Sequence, residues 1–142
     1  MYILDTNVVS EARKIRAGRG DSAVANWLDE VSPEDMYISV ISVHELETGI
    51  SLKERADKIQ GSILREWFEN HVLVAFKDRI LPVTTEAAIE SAKLHVPNPQ
   101  PLQDAYIAGT ALANKMVVVT RNISDFEKMK VPVFNPWDHS SS

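Results

Sequence analysis

Cysteine is absent from the 142-residue chain, which removes disulfide frameworks, thiolate zinc sites and cysteine nucleophiles from consideration. Long apolar runs are absent as well: the longest, residues 72–76, is far short of a membrane span. The opening Met1-Tyr-Ile-Leu-Asp5 has no basic segment and no extended apolar stretch, so no secretory signal is visible. A cytoplasmic protein with no membrane partner is expected. Positive charge is scarce: 15 lysines and arginines stand against 20 acids, for a net charge of −5. That is the wrong sign for binding nucleic acid by bulk electrostatics, though not for a nuclease whose acidic groups hold metal ions. Four cations do cluster, Arg13, Lys14, Arg16 and Arg19. A solvated loop explains them as well as contact with an RNA backbone does.

What remains is the balance of a globular domain, 44% hydrophobic and 25% charged. A single domain over residues 1–139 is expected, with residues 140–142 as a disordered tail. Short apolar, β-branched runs at residues 2–4, 36–40, 80–83 and 117–120 read as strands, and residues 131–134 as an edge strand where Pro132 is tolerated. Helical patterns fill the intervals, at residues 8–14, 23–30, 43–53, 56–74, 86–94 and 102–114. Strand alternating with helix predicts an α/β fold with a mostly parallel central sheet. No strand signal separates residues 43 and 74, so the long middle helices are expected to form a hairpin. Residues 96–101 hold three prolines and must be a loop.

The informative residues are acids. In an open parallel sheet the active crevice lies beyond the carboxyl ends of the strands. Asp5 follows the first strand directly, where it would also serve as a helix N-cap. Glu45 lies in Ser42-Val-His-Glu45 after the second strand, a pattern that also fits a capping box with Ser42 as the cap. Gly49, one turn on, leaves room for something to approach. Asp104 starts the stripe Ile107, Ala108, Ala111 and Leu112, so it points toward the sheet, where an unpaired carboxylate is expensive and a cation would compensate it. Asp125 follows the 117–120 strand, with Ser124 and Glu127 as another possible capping box. Each acid has a local explanation. Jointly they would repel one another and raise one another's pKa values unless a cation sat among them, and hard oxygen donors point to Mg²⁺ or Mn²⁺.

These segments resemble the PIN-domain ribonucleases. Ile3-Leu-Asp-Thr-Asn-Val-Val-Ser-Glu11 is similar to the family's opening, Val43-His-Glu-Leu-Glu-Thr-Gly-Ile50 to its second acidic motif, Asp104-Ala-Tyr-Ile-Ala-Gly-Thr-Ala-Leu-Ala113 to its third, and Val119-Thr-Arg-Asn-Ile-Ser-Asp-Phe126 to its fourth. With Val133-Phe-Asn-Pro-Trp137, the chain is most similar to the FitB branch of VapC-type toxins. The resemblance implies a three-layer α/β/α sandwich and a Mg²⁺- or Mn²⁺-dependent endoribonuclease, usually a homodimer. It also implies neutralisation by a small cognate antitoxin, commonly with a DNA-binding part. It carries over Asp5, Glu45 and Asp104 as catalytic metal ligands. For the fourth position the resemblance leaves two residues, since many relatives have an acid directly after Thr-Arg, where Asn122 stands, and others use the Asp of Asp-Phe, here Asp125. Asp125 is favoured as the acid, with Asn122 as a neutral oxygen ligand or neighbour, and Thr6 and Thr120 would orient metal-bound water. The prolines at 96–101 replace the family's more usual glycine-containing loop. Two rivals follow from the same residues. An aspartyl-nucleophile phosphatase would want a second Asp two positions after Asp5, where Asn7 stands. A catalytically inactive RNA- or protein-binding module would not need four intact acids.

Overall fold

Alternation along the strands sorts the core into two layers. In the computed structural model, which describes residues 1–140, β1 (Tyr2–Leu4), β2 (Met36–Ser39), β3 (Ile80–Leu81), β4 (Val117–Val119) and β5 (Val133–Phe134) form one sheet in the order β3-β2-β1-β4-β5. Every neighbouring pair is parallel. Successive side chains point to opposite faces. Ile3 and Val118 therefore pack with Ala105, Ile107, Ala108 and Phe126 on one side. Leu4, Ile38 and Val119 pack with Val8, Val9, Trp27 and Leu46 on the other.

The second of these faces is covered by α1 (Thr6–Arg16), α2 (Ser22–Glu30), α3 (Val40–Ala56), α4 (Lys58–Trp67) and α5 (Leu73–Ala75). The first is covered by α7 (Leu102–Asn114) and α8 (Ile123–Glu127), with α6 (Thr85–Lys93) stacked on α7. The result is the three-layer α/β/α sandwich. The expected hairpin is α3–α4, turned at Asp57, whose carboxylate caps α4 by accepting from Gln60 N at 3.1 Å. Arg65 on α4 clamps it by donating to both oxygens of Glu47 at 2.7 Å and to Glu54. The continuous helix expected over 56–74 is instead broken at Asp57 and widened into a π turn, Phe68–Val72, ahead of α5. The extra residue in that turn lets Trp67, Phe68 and Val72 all face the core.

Strand order places the site. From β1 the chain moves to β2 on one side, and later returns to β4 on the other, so the sheet's topological switch is at β1 and its carboxyl edge opens there. Among the described residues, no helix is long and apolar enough to cross a membrane. The tail expected at 140–142 lies, apart from Ser140, outside the described residues.

Candidate active site

The loops that leave β1, β2 and β4 emerge side by side, because neighbouring strands in a sheet lie about 5 Å apart. Asp5, the residue after β1, is 5% exposed. It caps α1 as its position predicts, with Oδ1 accepting from Thr6 N at 2.8 Å. The other oxygen, Oδ2, accepts from the hydroxyl of Thr120 at 2.8 Å and from Asn7 Nδ2 at 3.4 Å. Burial pushes the Asp5 carboxyl above its ordinary range, the bonds from Thr120 and Thr6 pull it back, and the charge of Asp125 adds to the rise.

Glu45 is reached through Thr6, whose hydroxyl lies 2.9 Å from Ser42 Oγ and donates to Glu45 Oε1 at 3.1 Å. The capping box expected at Ser42 is not formed. Helix α3 starts earlier, at Val40, with Ser39 as its cap accepting from Ile41 N at 3.0 Å. The sequence Ser39-Val-Ile-Ser42 offers two serines, and the strand ends soon enough for the first to take the role. Ser42 is thereby carried into the helix and buried beside Thr6. Burial raises the Glu45 carboxyl, its bond from Thr6 lowers it, and Asp5 raises it further, while His44 gives a smaller opposite pull.

Asp104 stands in the first turn of α7, half-buried, with the fully buried Ala105, Ile107 and Ala108 carrying the helix onto the sheet. Its carboxyl is pushed up to about 6, first by burial and then by the charges of Asp5, Asp125 and Glu45. One group thus feels the other three acids, so the fold brings all four expected positions into one electrostatic neighbourhood. Among the described residues none of the four makes an ion pair with lysine or arginine. No three Asp, Glu or His side chains close on one point at ligand distance there either. The donors are carboxylates and an amide without a thiol, a set that suits a hard divalent ion.

Asp125 is the third residue of α8, and the capping box expected at Ser124 is not formed. The helix begins at Ile123, and Asn122 is the residue at the cap position, its N–H donating to Thr120 Oγ1 at 2.9 Å. Thr120 is fully buried and its hydroxyl is fully engaged, donating to Asp5 and accepting from Asn122 N and Asn7 Nδ2. Thr6 and Thr120 therefore hold carboxylates in place through their hydroxyls. Asn7 was overlooked as a member of the site. It links Asp5 and Thr120 and accepts from Arg121 N at 3.3 Å, tying β1 to β4. Its place in the first turn of α1, two residues after the capping Asp5, was the available signal. The cations Arg13, Lys14 and Arg16 are not brought to the acids. They occupy the last turn of α1, roughly 12–16 Å along the helix from Asp5. There they complement the helix dipole, and Lys14 also pairs with Glu11 at 3.8 Å. Arg19 is exposed in the loop beyond.

The PIN domain family model matches residues 2–131, which spans all four acids and all but the last strand. The chain belongs to the PIN-domain family. Among relatives of this PIN domain, Toxin FitB of Neisseria gonorrhoeae is 39% identical over 96% of this chain and 99% of its own length. A VapC ribonuclease, Y4jK, of Sinorhizobium fredii is 34% identical over 97% of this chain and 99% of its own. A solved structure of FitAB bound to the IR36 DNA fragment superposes with a TM-score of 0.86 at 34% identity, covering 99% of each chain.

Proposed function

We propose that this PIN domain is the endoribonuclease toxin of a type II toxin–antitoxin pair, hydrolysing RNA phosphodiester bonds with a divalent ion, Mg²⁺ or Mn²⁺. The observation that carries this reading is Asp104, a carboxyl raised to about 6 among three further acids with no paired lysine or arginine among the described residues. Asp5, Glu45, Asp104 and Asp125 would hold the metal, with the Asn122 side-chain oxygen as a neutral donor. When bound, the ion supplies an activated water for attack on phosphorus. The protein's part is placement. Thr120, Asn7 and the Thr6 amide aim Asp5, and the Thr6 hydroxyl aims Glu45. A water oxygen would bond to phosphorus as the bond to the leaving ester oxygen breaks; the carboxylates would take the proton that the water gives up, and solvent would return one to the leaving oxygen.

The partners follow from the same reading. The antitoxin is a small protein with a DNA-binding part, and an arginine or lysine from it competes with the metal for the four carboxylates. The toxin acts in the cytoplasm as a homodimer. Purified protein should cut single-stranded RNA with Mg²⁺ or Mn²⁺, stop when a chelator is added and resume with excess metal. Cleavage that persists in chelator, or binding of RNA with no cleavage under any divalent ion, would refute the nuclease reading. A complex whose antitoxin stays clear of all four acids would refute the competing cation.

A further inference from the structure

Away from the acids, the described cations are distributed unevenly. Lys93, at the end of α6, and Lys128 and Lys130, just after α8, line one groove of about 590 Å³ together with Asn98 and Gln100. All three lysines are exposed. Among the described residues Lys128 and Lys130 make no ion pair, and Lys93 has only a 3.7 Å contact with Glu90 on its own helix. In a chain of net charge −5, such a concentration of cations is a feature to be explained.

Both walls of the groove are continuous in sequence with elements that carry the acids. Lys128 keeps helical backbone angles, φ −59° and ψ −28°, so it lies one turn from Asp125 on the same face. On the opposite wall, Gln100 precedes Asp104 by four residues, at the entrance to α7. That wall is stiff. Pro97, Pro99 and Pro101 each fix a backbone angle, and Gln100 N donates to His95 Nδ1 at 3.0 Å.

We propose that this groove binds the backbone of the RNA strand next to the scissile phosphate, with Lys93, Lys128 and Lys130 contacting successive phosphates. The proposal rests on the ribonuclease reading above and adds to it a path for the substrate. Charge complementarity selects the occupant. A cationic groove that tracks a backbone is how single strands are held without sequence preference.

The test compares the full-length protein with a triple variant, Lys93→Gln, Lys128→Gln and Lys130→Gly. Lys130 has a left-handed backbone, φ 56°, which glycine adopts without strain, so that substitution is expected to preserve the fold. A charge-matched triple variant on other elements, Lys53→Gln, Lys58→Gln and Lys77→Gln, controls for net charge. On an RNA dodecamer with Mn²⁺, the groove variant should raise KM about tenfold at moderate salt and leave kcat unchanged. The plot of log kcat/KM against log salt should flatten by about 2, since each lost phosphate contact on a single strand removes about 0.7. On a trinucleotide that fills only the acidic site, KM should not change. The control variant should match the wild type. An unchanged salt slope, an equal loss on the trinucleotide, or weakened antitoxin binding with RNA binding intact would overturn the proposal. If the triple variant is destabilised, Lys130→Gly alone must still flatten the slope by about 0.7. A wild type that cuts no RNA would refute the nuclease reading alone, and anisotropy of the same dodecamer then reads the groove through the same slope.

Discussion

Thr120 shows how much of the site depends on a residue that carries no charge. Its hydroxyl donates to Asp5 and accepts two N–H groups, all in a fully buried position. Thr120→Val is close in shape but leaves those partners unsatisfied, so it should cost about 1–3 kcal/mol of stability in a urea melt. The bond from Thr120 also lowers the Asp5 carboxyl, so its loss should move the acidic limb of the cleavage pH profile upward. A limb that stays put would mean the bond does not set the ionisation of Asp5. Asp104→Asn tests the opposite case. It removes one charge from a self-repelling cluster without changing packing along Ile107 and Ala108, so the metal-free variant should melt no earlier than wild type at neutral pH. Its cleavage should nevertheless fall by about a hundredfold or more. A variant that melts early while its folded fraction cuts normally would make Asp104 a structural acid.

At the scale of elements, α7 is the part that must not shift. It brings Asp104 to the sheet edge and packs against α6 so closely that a Cβ on Gly109 would stand 2.6 Å from both Ala87 O and Ser91 N. Those are backbone atoms of α6 and cannot give way cheaply. Gly109→Ala should therefore destabilise by about 1–3 kcal/mol and weaken metal binding by displacing Asp104. Gly49 in α3 is the contrasting position. Nothing lies within 4 Å of a Cβ built there, so Gly49→Ala should stabilise the helix by about 0.5–1 kcal/mol. Paired urea melts of the two variants check both signs. If the space beside Gly49 serves the antitoxin or the substrate, the stabilised variant will lose affinity for one of them.

The whole molecule stores its electrostatic cost at one edge. Asp5, Glu45 and Asp104 all have carboxyls raised above their ordinary values, so the folded state holds protons that the unfolded chain has already released. Their contribution to stability is complete below the ordinary carboxyl range and is lost as pH rises through the folded values, up to about 6 for Asp104. In chelator, stability should therefore fall between about pH 4.5 and 7, with Asp104 contributing about 1 kcal/mol after allowance for its half-exposed setting. Glu47, held near 2 by Arg65, titrates below that window and does not mask the trend. With Mg²⁺ or Mn²⁺ in excess the slope should reverse, because metal binds the deprotonated acids of the folded state alone. Thermal melts across this range, with and without metal, decide the point. A metal-free protein that gains stability toward pH 7 would contradict the crowding of these acids.

Local pattern determined a good deal. The apolar runs placed all five strands to within a residue or two, helix α7 kept its expected limits, and Asp5 caps α1 as its position after a strand requires. These outcomes depend on periodicity and on short-range hydrogen bonds, which a sequence displays directly. The acids were legible too, because each lies at a strand end or a helix start. What the sequence did not decide was which of two serines caps α3, since Ser39 and Ser42 are equally suited locally. The choice followed from where β2 stops pairing with its neighbours. The π turn at Phe68–Val72 likewise reflects which side chains the core accepts. The hydroxyl and amide links through Thr6, Asn7 and Thr120 join residues as much as 115 positions apart. Only the parallel pairing of β2 and β4 on either side of β1 brings those groups within hydrogen-bond reach, and no local signal encodes a contact whose two partners meet through the sheet.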